Sequence, residues 1–288
     1  MCRLYGLRAS EPTRVECSLV HAQNALMAQS RKDLAGLTHG HGWGVAEHPD
    51  GLPIVEKQAW AAWHGEHFQK HAARVYSRAV IAHVRRATVG EPSLENTHPF
   101  VHGRWLFAHN GTVPRFPEVR ERMLVETDRL HRDEIRGTTD SEHVFHYLLT
   151  LWSRHPERPL RDVLAEGLRQ VVAWCRAVDP EAAPSLNVLM TDGDTMAGAR
   201  LGRTLWYLER EGLMTCAICG RTHVHHEPGQ DYRAVEIASE PITDEAWRRV
   251  PNSTVFNVDP DMRLNIAPLD LGDAAFAKAD APDEDLAH

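Results

Sequence analysis

The sequence lacks any run of roughly 18 apolar residues, so no segment of it is predicted to span a membrane. It also lacks a basic excess, because 32 lysines and arginines stand against 40 aspartates and glutamates, for a net charge of −8. Nucleic-acid binding requires a positively charged footprint, and the sequence has none. We therefore expect neither a nucleic acid nor a membrane as a partner of this chain.

An apolar export signal is absent as well, because the chain begins Met1-Cys2-Arg3-Leu4-Tyr5. This start predicts a cytoplasmic location. Cysteine is scarce and its count is odd: the five cysteines stand at positions 2, 17, 175, 216 and 219. In a chain that is not exported, an odd number of cysteines favours free thiols or metal ligands over a disulfide framework.

The order of the predicted elements favours an α+β fold with a mainly antiparallel sheet. Apolar residues recur at helical spacing in three segments, residues 18–30, 140–153 and 160–177. Strand patterns dominate both before residue 112 and after residue 184, which is not the strict strand–helix alternation of a parallel sheet. We expect one domain over residues 2–270, followed by a disordered acidic tail at residues 271–288.

The position of Cys2 is chemically suggestive. Removal of Met1 would leave a thiol and a free α-amine on the same residue. Their ordinary pKa values are about 8.5 and about 7.7–8.0, so the amine would accept the thiol proton near neutral pH. One residue would then supply both a nucleophile and its base. The alternative is a chance cysteine at position 2.

Four further segments contain residue types used in catalysis. They are AHVRRATVG at residues 82–90, NTHPF at 96–100, FAHNGT at 107–112 and GTTDSE at 137–142. Each has an ordinary structural explanation when taken alone. The third predicts a hairpin turn, and the fourth predicts a helix start with a Thr139–Glu142 capping box. Their order behind an N-terminal cysteine is the more informative feature.

Cys2 followed by HxRxAT, THPF, HNG and TTDSE resembles the class II glutamine amidotransferases, which are N-terminal nucleophile hydrolases. The resemblance covers residues 2–146, and the segment ASEP at 238–241 resembles stand-alone members such as the ergothioneine-pathway γ-glutamyl amidases. It implies a four-layer αββα sandwich, in which two antiparallel sheets lie face to face with helices outside. It also implies catalysis that requires no cofactor.

The resemblance assigns roles residue by residue. Cys2 matches the nucleophile that attacks the glutamine side-chain amide, forms a thioester and releases ammonia and then glutamate. Asn110 and Gly111 match the oxyanion hole, with one side-chain N–H and one backbone N–H as donors. This chemistry makes the chain a cysteine-dependent amidohydrolase with glutaminase activity.

Two charged residues match the groups that recognise the free amino-acid end of the substrate. Arg85 matches the arginine that binds the α-carboxylate, for which a guanidinium fork is suited. Asp140 matches the aspartate that pairs with the α-ammonium. Thr88 and Val89 correspond to the stretch whose backbone helps to seat the substrate.

Three hypotheses about the activity stay open on the sequence. The substrate is glutamine, with ammonia passed to a separate synthase, or it is another γ-glutamyl amide that a free-standing hydrolase cleaves. No synthase domain fits in the chain beyond the amidase domain. The third hypothesis is a non-catalytic binding or regulatory module that kept the fold, which retention of Met1 would favour.

A second cluster lies at CAICG, residues 216–220, which is followed by three histidines. Cys-x-x-Cys-Gly is the pattern of a zinc knuckle, and two thiolates with two imidazoles complete a tetrahedral structural zinc site. The candidate ligands are Cys216, Cys219, His223 and His225, in a hairpin at residues 214–232. The alternatives to a zinc site are an exposed hairpin with two reduced thiols and a redox-active cysteine pair.

Overall fold

The fold is described by a computed structural model that covers residues 2–225 and 231–272. Two antiparallel sheets form its centre. The first has the strand order β11-β9-β10-β1-β4-β2-β3, with the bounds β1 Arg3–Arg14, β2 Trp43–Glu47, β3 Ile54–Gln58, β4 Tyr76–Val84, β9 Trp206–Glu211, β10 Arg233–Ala238 and β11 Arg248–Arg249. The predicted tail lies outside the described residues from residue 273 onward.

The second sheet has the order β13-β12-β8-β7-β6-β5. Its strands are β5 Phe100–His102, β6 Trp105–Thr112, β7 Ser185–Thr191, β8 Met196–Arg200, β12 Thr254–Val258 and β13 Leu264–Pro268. The helices of the described residues are α1 Leu26–Arg31, α2 His67–Ala72, α3 Phe116–Glu126, α4 Arg129–Arg132, α5 Asp140–Arg154 and α6 Leu160–Val178. The α+β prediction is confirmed.

Three apolar clusters show how the layers stack. One cluster lies between the sheets and includes Leu4, Leu106 and Phe256. A second lies between the first sheet and the short helices α1 and α2, and a third lies between the second sheet and α3, α5 and α6. Side chains alternate across each strand, so β1 contributes Leu4 to one cluster and Tyr5 to another. The predicted four-layer αββα sandwich is confirmed.

The prediction of one continuous helix over residues 18–30 is wrong. A π-helical turn covers Cys17–His21, and α1 begins only at Leu26. Between them the chain is pulled out of helical geometry, because the Asn24 side chain donates to the carbonyl of Pro241 at 2.7 Å. None of the helices in the described residues combines the length and the apolarity that a membrane span requires.

Candidate active site

Cys2 lies immediately before β1, at the edge where both sheets end. Its backbone N–H donates to Oδ1 of Asn110 at 3.1 Å. The backbone N–H of Arg86 donates to its Sγ at 3.4 Å. Cys2 is partly buried, and the desolvation of its thiol raises the pKa, while the backbone of Arg86 and the charge of Arg85 act in the opposite direction. The thiol is therefore protonated at neutral pH and needs a base to react.

Asn110 and Gly111 end the β6 strand beside Cys2. Nδ2 of Asn110 donates to Oγ of Ser239 at 3.3 Å, and that hydroxyl also accepts the N–H of Leu4 at 3.0 Å. These contacts fix the amide plane of Asn110. Gly111 cannot be replaced by a larger residue, because a Cβ there would lie 1.9 Å from the carbonyl oxygen of Ser185. The predicted oxyanion-hole pair is thus held in place, with the Asn110 side chain against the Cys2 nitrogen.

Arg85 follows β4 and is almost fully buried. Its guanidinium donates to the carbonyl oxygens of Val89, Gly90 and Glu91 at 2.9–3.1 Å. A guanidinium has five N–H donors, so in the described part of the chain two of them remain for a ligand. Arg85 therefore orders the loop that contains Thr88 and Val89 while it keeps donors for an incoming carboxylate.

Asp140 begins α5, where Thr139 caps the helix by accepting the N–H of Glu142 at 3.3 Å. The Asp140 carboxylate is buried and accepts the N–H of Val113 at 2.8 Å and the N–H of Ser141 at 2.9 Å. Its charge acts on the Cys2 thiol, whose pKa it raises. The predicted N-cap at Thr139 and the predicted charged residue therefore coexist at one helix start. The reciprocal half of the predicted capping box is not formed, because the Glu142 carboxylate accepts the N–H groups of Arg136 and Gly137 at 2.9 and 2.6 Å instead.

A buried ionic network contacts the backbone of Cys2, and the sequence patterns did not single it out. Arg3 donates to the carbonyl oxygen of Cys2 at 3.0 Å and pairs with Asp33 at 2.6 Å and with Glu240 at 2.7 Å. His39 lies against the same Asp33 carboxylate, with Nε2 2.8 Å from Oδ2. Burial lowers the pKa of His39 to about 4, so its ring is neutral and Nε2 donates.

His109 was also missed, although it stands next to Asn110. Its Nε2 donates to the carbonyl of Ser185 at 3.0 Å, so its Nδ1 accepts from Oγ of Ser141 at 2.8 Å. Burial lowers the pKa of His109 and favours this neutral form. The ring thereby joins the end of β6 to the start of α5, which sets the distance between Asn110 and Asp140.

His41 holds the loop before β2 against the substrate loop. Its backbone N–H donates to the carbonyl of Arg85 at 3.0 Å, and its Nδ1 accepts the N–H of Ala87 at 2.9 Å. The loop at 85–91 is consequently fixed from two sides.

The second predicted cluster has a different composition from the one expected. The sulfur or nitrogen atoms of Cys216, Cys219 and His223 come together, but the fourth member is Cys17. His225 lies elsewhere: its backbone N–H donates to the Tyr76 hydroxyl at 3.2 Å, and its ring packs on the Tyr76 ring. The structure therefore does not bring the fourth candidate, His225, to the other three, and His226 lies outside the described residues.

Comparisons with known proteins agree with this arrangement. Residues 1–262 match the family model described as "Glutamine amidotransferases class-II". The γ-glutamyl-hercynylcysteine sulfoxide hydrolase of Mycobacterium tuberculosis is 34% identical over 263 residues, which cover 90% of this chain and 93% of that protein. The probable glutamine amidotransferase DUG3 of Saccharomyces cerevisiae is 27% identical, covering 90% and 82% respectively.

Among solved structures, the glutamine aminotransferase class-II domain protein from Silicibacter pomeroyi superposes with a TM-score of 0.60. The match covers 93% of this chain and 99% of that one at 18% identity. At such an identity the likeness concerns the fold, and the chemistry has to be argued from the residues themselves.

Proposed function

This chain belongs to the class-II glutamine amidotransferases, and on that premise we propose that Cys2 is the nucleophile of an amidase acting on γ-glutamyl groups. Removal of Met1 converts the Cys2 nitrogen into a free amine. In the structure that nitrogen is held 3.1 Å from Oδ1 of Asn110. This placement of the Cys2 nitrogen against the side chain of Asn110, which precedes Gly111 in the chain, is the observation on which the proposal rests.

The reaction begins when the α-amine takes the proton of the buried thiol. The sulfur then attacks the amide carbon, and the carbonyl oxygen becomes an oxyanion. A side-chain N–H of Asn110 and the backbone N–H of Gly111 stabilise that oxyanion. The amine returns the proton to the leaving nitrogen, which departs as ammonia or an amine. Water then hydrolyses the thioester, and glutamate leaves.

Two opposite charges select the head group of the substrate. Arg85 and Asp140 are both buried, and their charges act in opposite directions on the pKa of the Cys2 thiol. A free α-carboxylate would bind the remaining N–H donors of Arg85, and an α-ammonium would pair with Asp140. Substrates lacking either group should bind poorly. The backbone of Thr88 and Val89 forms part of the same proposed substrate site.

A free-standing γ-glutamyl amide hydrolase is the second candidate. It is favoured by the extensive match to the mycobacterial γ-glutamyl-hercynylcysteine sulfoxide hydrolase, which covers 93% of that protein. The two candidates share every step at Cys2. They differ in the group on the amide nitrogen and in whether a separate synthase receives ammonia.

The test is release of glutamate from a substrate panel by the processed enzyme. The panel contains glutamine, γ-glutamyl amides of cysteine and of its sulfoxides, and glutamine with its α-amine or α-carboxylate blocked. We expect cleavage only of substrates whose α-amine and α-carboxylate are both free, and no cleavage by Cys2→Ala.

A higher kcat/KM for glutamine favours ammonia transfer, and a higher value for a substituted amide favours the hydrolase. Equal cleavage of blocked substrates would contradict the roles of Arg85 and Asp140. A processed chain that cleaves nothing would favour a binding module.

A further inference from the structure

Three cysteines and a histidine from two distant segments meet beyond the far end of β1. Cys17 begins the π-helical turn that follows β1, whereas Cys216, Cys219 and His223 belong to the segment after β9. Their sulfur and nitrogen atoms all lie within 4.8 Å of one another, and Sγ of Cys219 is 3.4 Å from Nε2 of His223. Cys17, Cys216 and Cys219 are free thiols, as is Cys175 in α6, so no disulfide explains the convergence.

This spacing matches the needs of tetrahedral zinc. With bonds of about 2.3 Å to sulfur and about 2.0–2.1 Å to nitrogen, neighbouring ligand atoms stand about 3.5–3.8 Å apart. The observed cluster is close to this size, so small side-chain adjustments would bring all four atoms to bonding distance. Three thiolates and one imidazole are also a usual ligand set for structural zinc.

The backbone at the knuckle is already shaped for metal binding. The N–H of Ile218 donates to Sγ of Cys216 at 3.4 Å, as expected for a group that stabilises a thiolate. The N–H of Gly220 donates to the carbonyl of Cys216 at 2.9 Å. Gly220 has φ +68, a conformation that a residue with a side chain adopts only with strain. These contacts close the CAICG turn.

The backbone also holds the other two ligands in place. The N–H of Arg14 donates to the carbonyl of His223 at 2.9 Å, and Thr13 forms a β-bridge with Val224. His223 is thereby fixed against the end of β1, just before the chain reaches Cys17. The burial of Cys17 shields the cluster on its inner side, while Cys219 is exposed.

We propose that Cys17, Cys216, Cys219 and His223 bind one Zn²⁺ ion in a structural site that joins the end of β1 to the segment after β9. Each cysteine gives up its thiol proton when its sulfur binds the metal, so affinity increases with pH. Four protein ligands leave no open position, and the metal takes no part in amide hydrolysis. Cys17 and Cys216 also line a cavity of about 670 Å³ on the outer face of the first sheet, and the metal would fix that wall.

The experiment is metal analysis of the full-length purified chain, followed by cobalt substitution. We expect one zinc ion per chain, and a cobalt form with the visible absorption of a tetrahedral thiolate site. Cys17→Ser and His223→Ala should each weaken zinc retention against a chelator by more than about 100-fold. The matched controls are Cys175→Ser, at another buried cysteine, and His225→Ala, two residues from a ligand; both should retain one zinc ion.

Several outcomes would overturn the proposal. One is a chain that binds neither zinc nor cobalt after full reduction and reconstitution. Another is an intact mass lower by two hydrogens, which would indicate a disulfide in the cluster. Full zinc retention and an unchanged cobalt spectrum in Cys17→Ser would also overturn it. Cys2→Ala should bind zinc normally, so a failure of this proposal is distinguishable from a failure of the proposed amidase.

Discussion

The two ends of β1 present cysteine in opposite environments. Cys2 precedes the strand. Its thiol accepts a backbone N–H, its nitrogen contacts the Asn110 side chain, and the opposite charges of Arg85 and Asp140 act on the pKa of the thiol. Cys17 follows the strand, and its thiol faces two further thiols and an imidazole. In the proposed function, the first environment supplies donors to an oxyanion and a head-group site. In the proposed zinc site, the second supplies metal ligands. On these two proposals, the same side chain has a covalent role at one end and a structural role at the other, because its neighbours differ.

The largest expected effect separates the two ends directly. Cys2→Ala should lower amide hydrolysis by at least about a thousandfold, because the covalent step is lost. Cys17→Ser, the matched change at the other end, should leave kcat/KM within about twofold in protein that is folded, because Cys17 touches no reacting atom. Glutamate release measures both. Equal losses of activity in the two variants would contradict the division of roles.

Asn110→Ala tests the donors at the catalytic end. Loss of one oxyanion donor typically costs about 100- to 1,000-fold in kcat. We expect a decrease of this size, with a smaller change in KM, in steady-state kinetics. Ser239→Ala serves as the control, because it removes a hydroxyl that holds Asn110 and Leu4 but keeps the Asn110 amide itself, and it should cost far less. An increase in KM with an unchanged kcat in Asn110→Ala would indicate that Asn110 binds the substrate and does not stabilise the transition state.

The catalytic end should also contribute to the acid sensitivity of the fold, through His39. The pKa of His39 is about 4 in the fold, against about 6.5 when unfolded, so between these values the unfolded chain binds more protons. The contribution of His39 to the free energy of unfolding is complete above pH 6.5. It decreases by about 3 kcal/mol as the pH falls toward 4. Urea unfolding at pH 7 and pH 4.5 measures the loss. The glutamine of His39→Gln can still donate to Asp33, so the free energy of unfolding of this variant should depend less on pH. An unchanged pH dependence would contradict the role given to His39.

Arg85→Lys gives the smallest of these expected effects. Lysine keeps the charge but loses the planar fork, so kcat/KM should decrease by about 10- to 100-fold. The decrease should appear mainly in KM for glutamine. A substrate with a blocked α-carboxylate should respond much less to the substitution. An equal decrease for both substrates would indicate that Arg85 orders the 89–91 loop without binding the carboxylate.

The residues that the sequence singled out around Cys2 converge in the structure more completely than those singled out around Cys216, and the reason is physical. Each catalytic segment combines a short local pattern with a strand or helix end, as at Asn110 and Asp140, so their order along the chain was informative. Cys17 has no such local signal, because it meets Cys216 only through tertiary folding. The broken helix at residues 18–30 has the same origin, since contacts of Asn24 with the distant Pro241 override helical spacing. The ionic network of Arg3 and Glu240 was hidden in the same way.

The most direct test of the central claim is the intact mass of the purified chain before and after treatment with a diazo-ketone analogue of glutamine. The account predicts a mass that lacks Met1 and then increases by a single adduct, located on Cys2 by peptide mapping and absent in Cys2→Ala. Cys17, Cys216 and Cys219 should stay unmodified. Retention of Met1 without an adduct, or an adduct on the cluster in place of Cys2, would contradict the account.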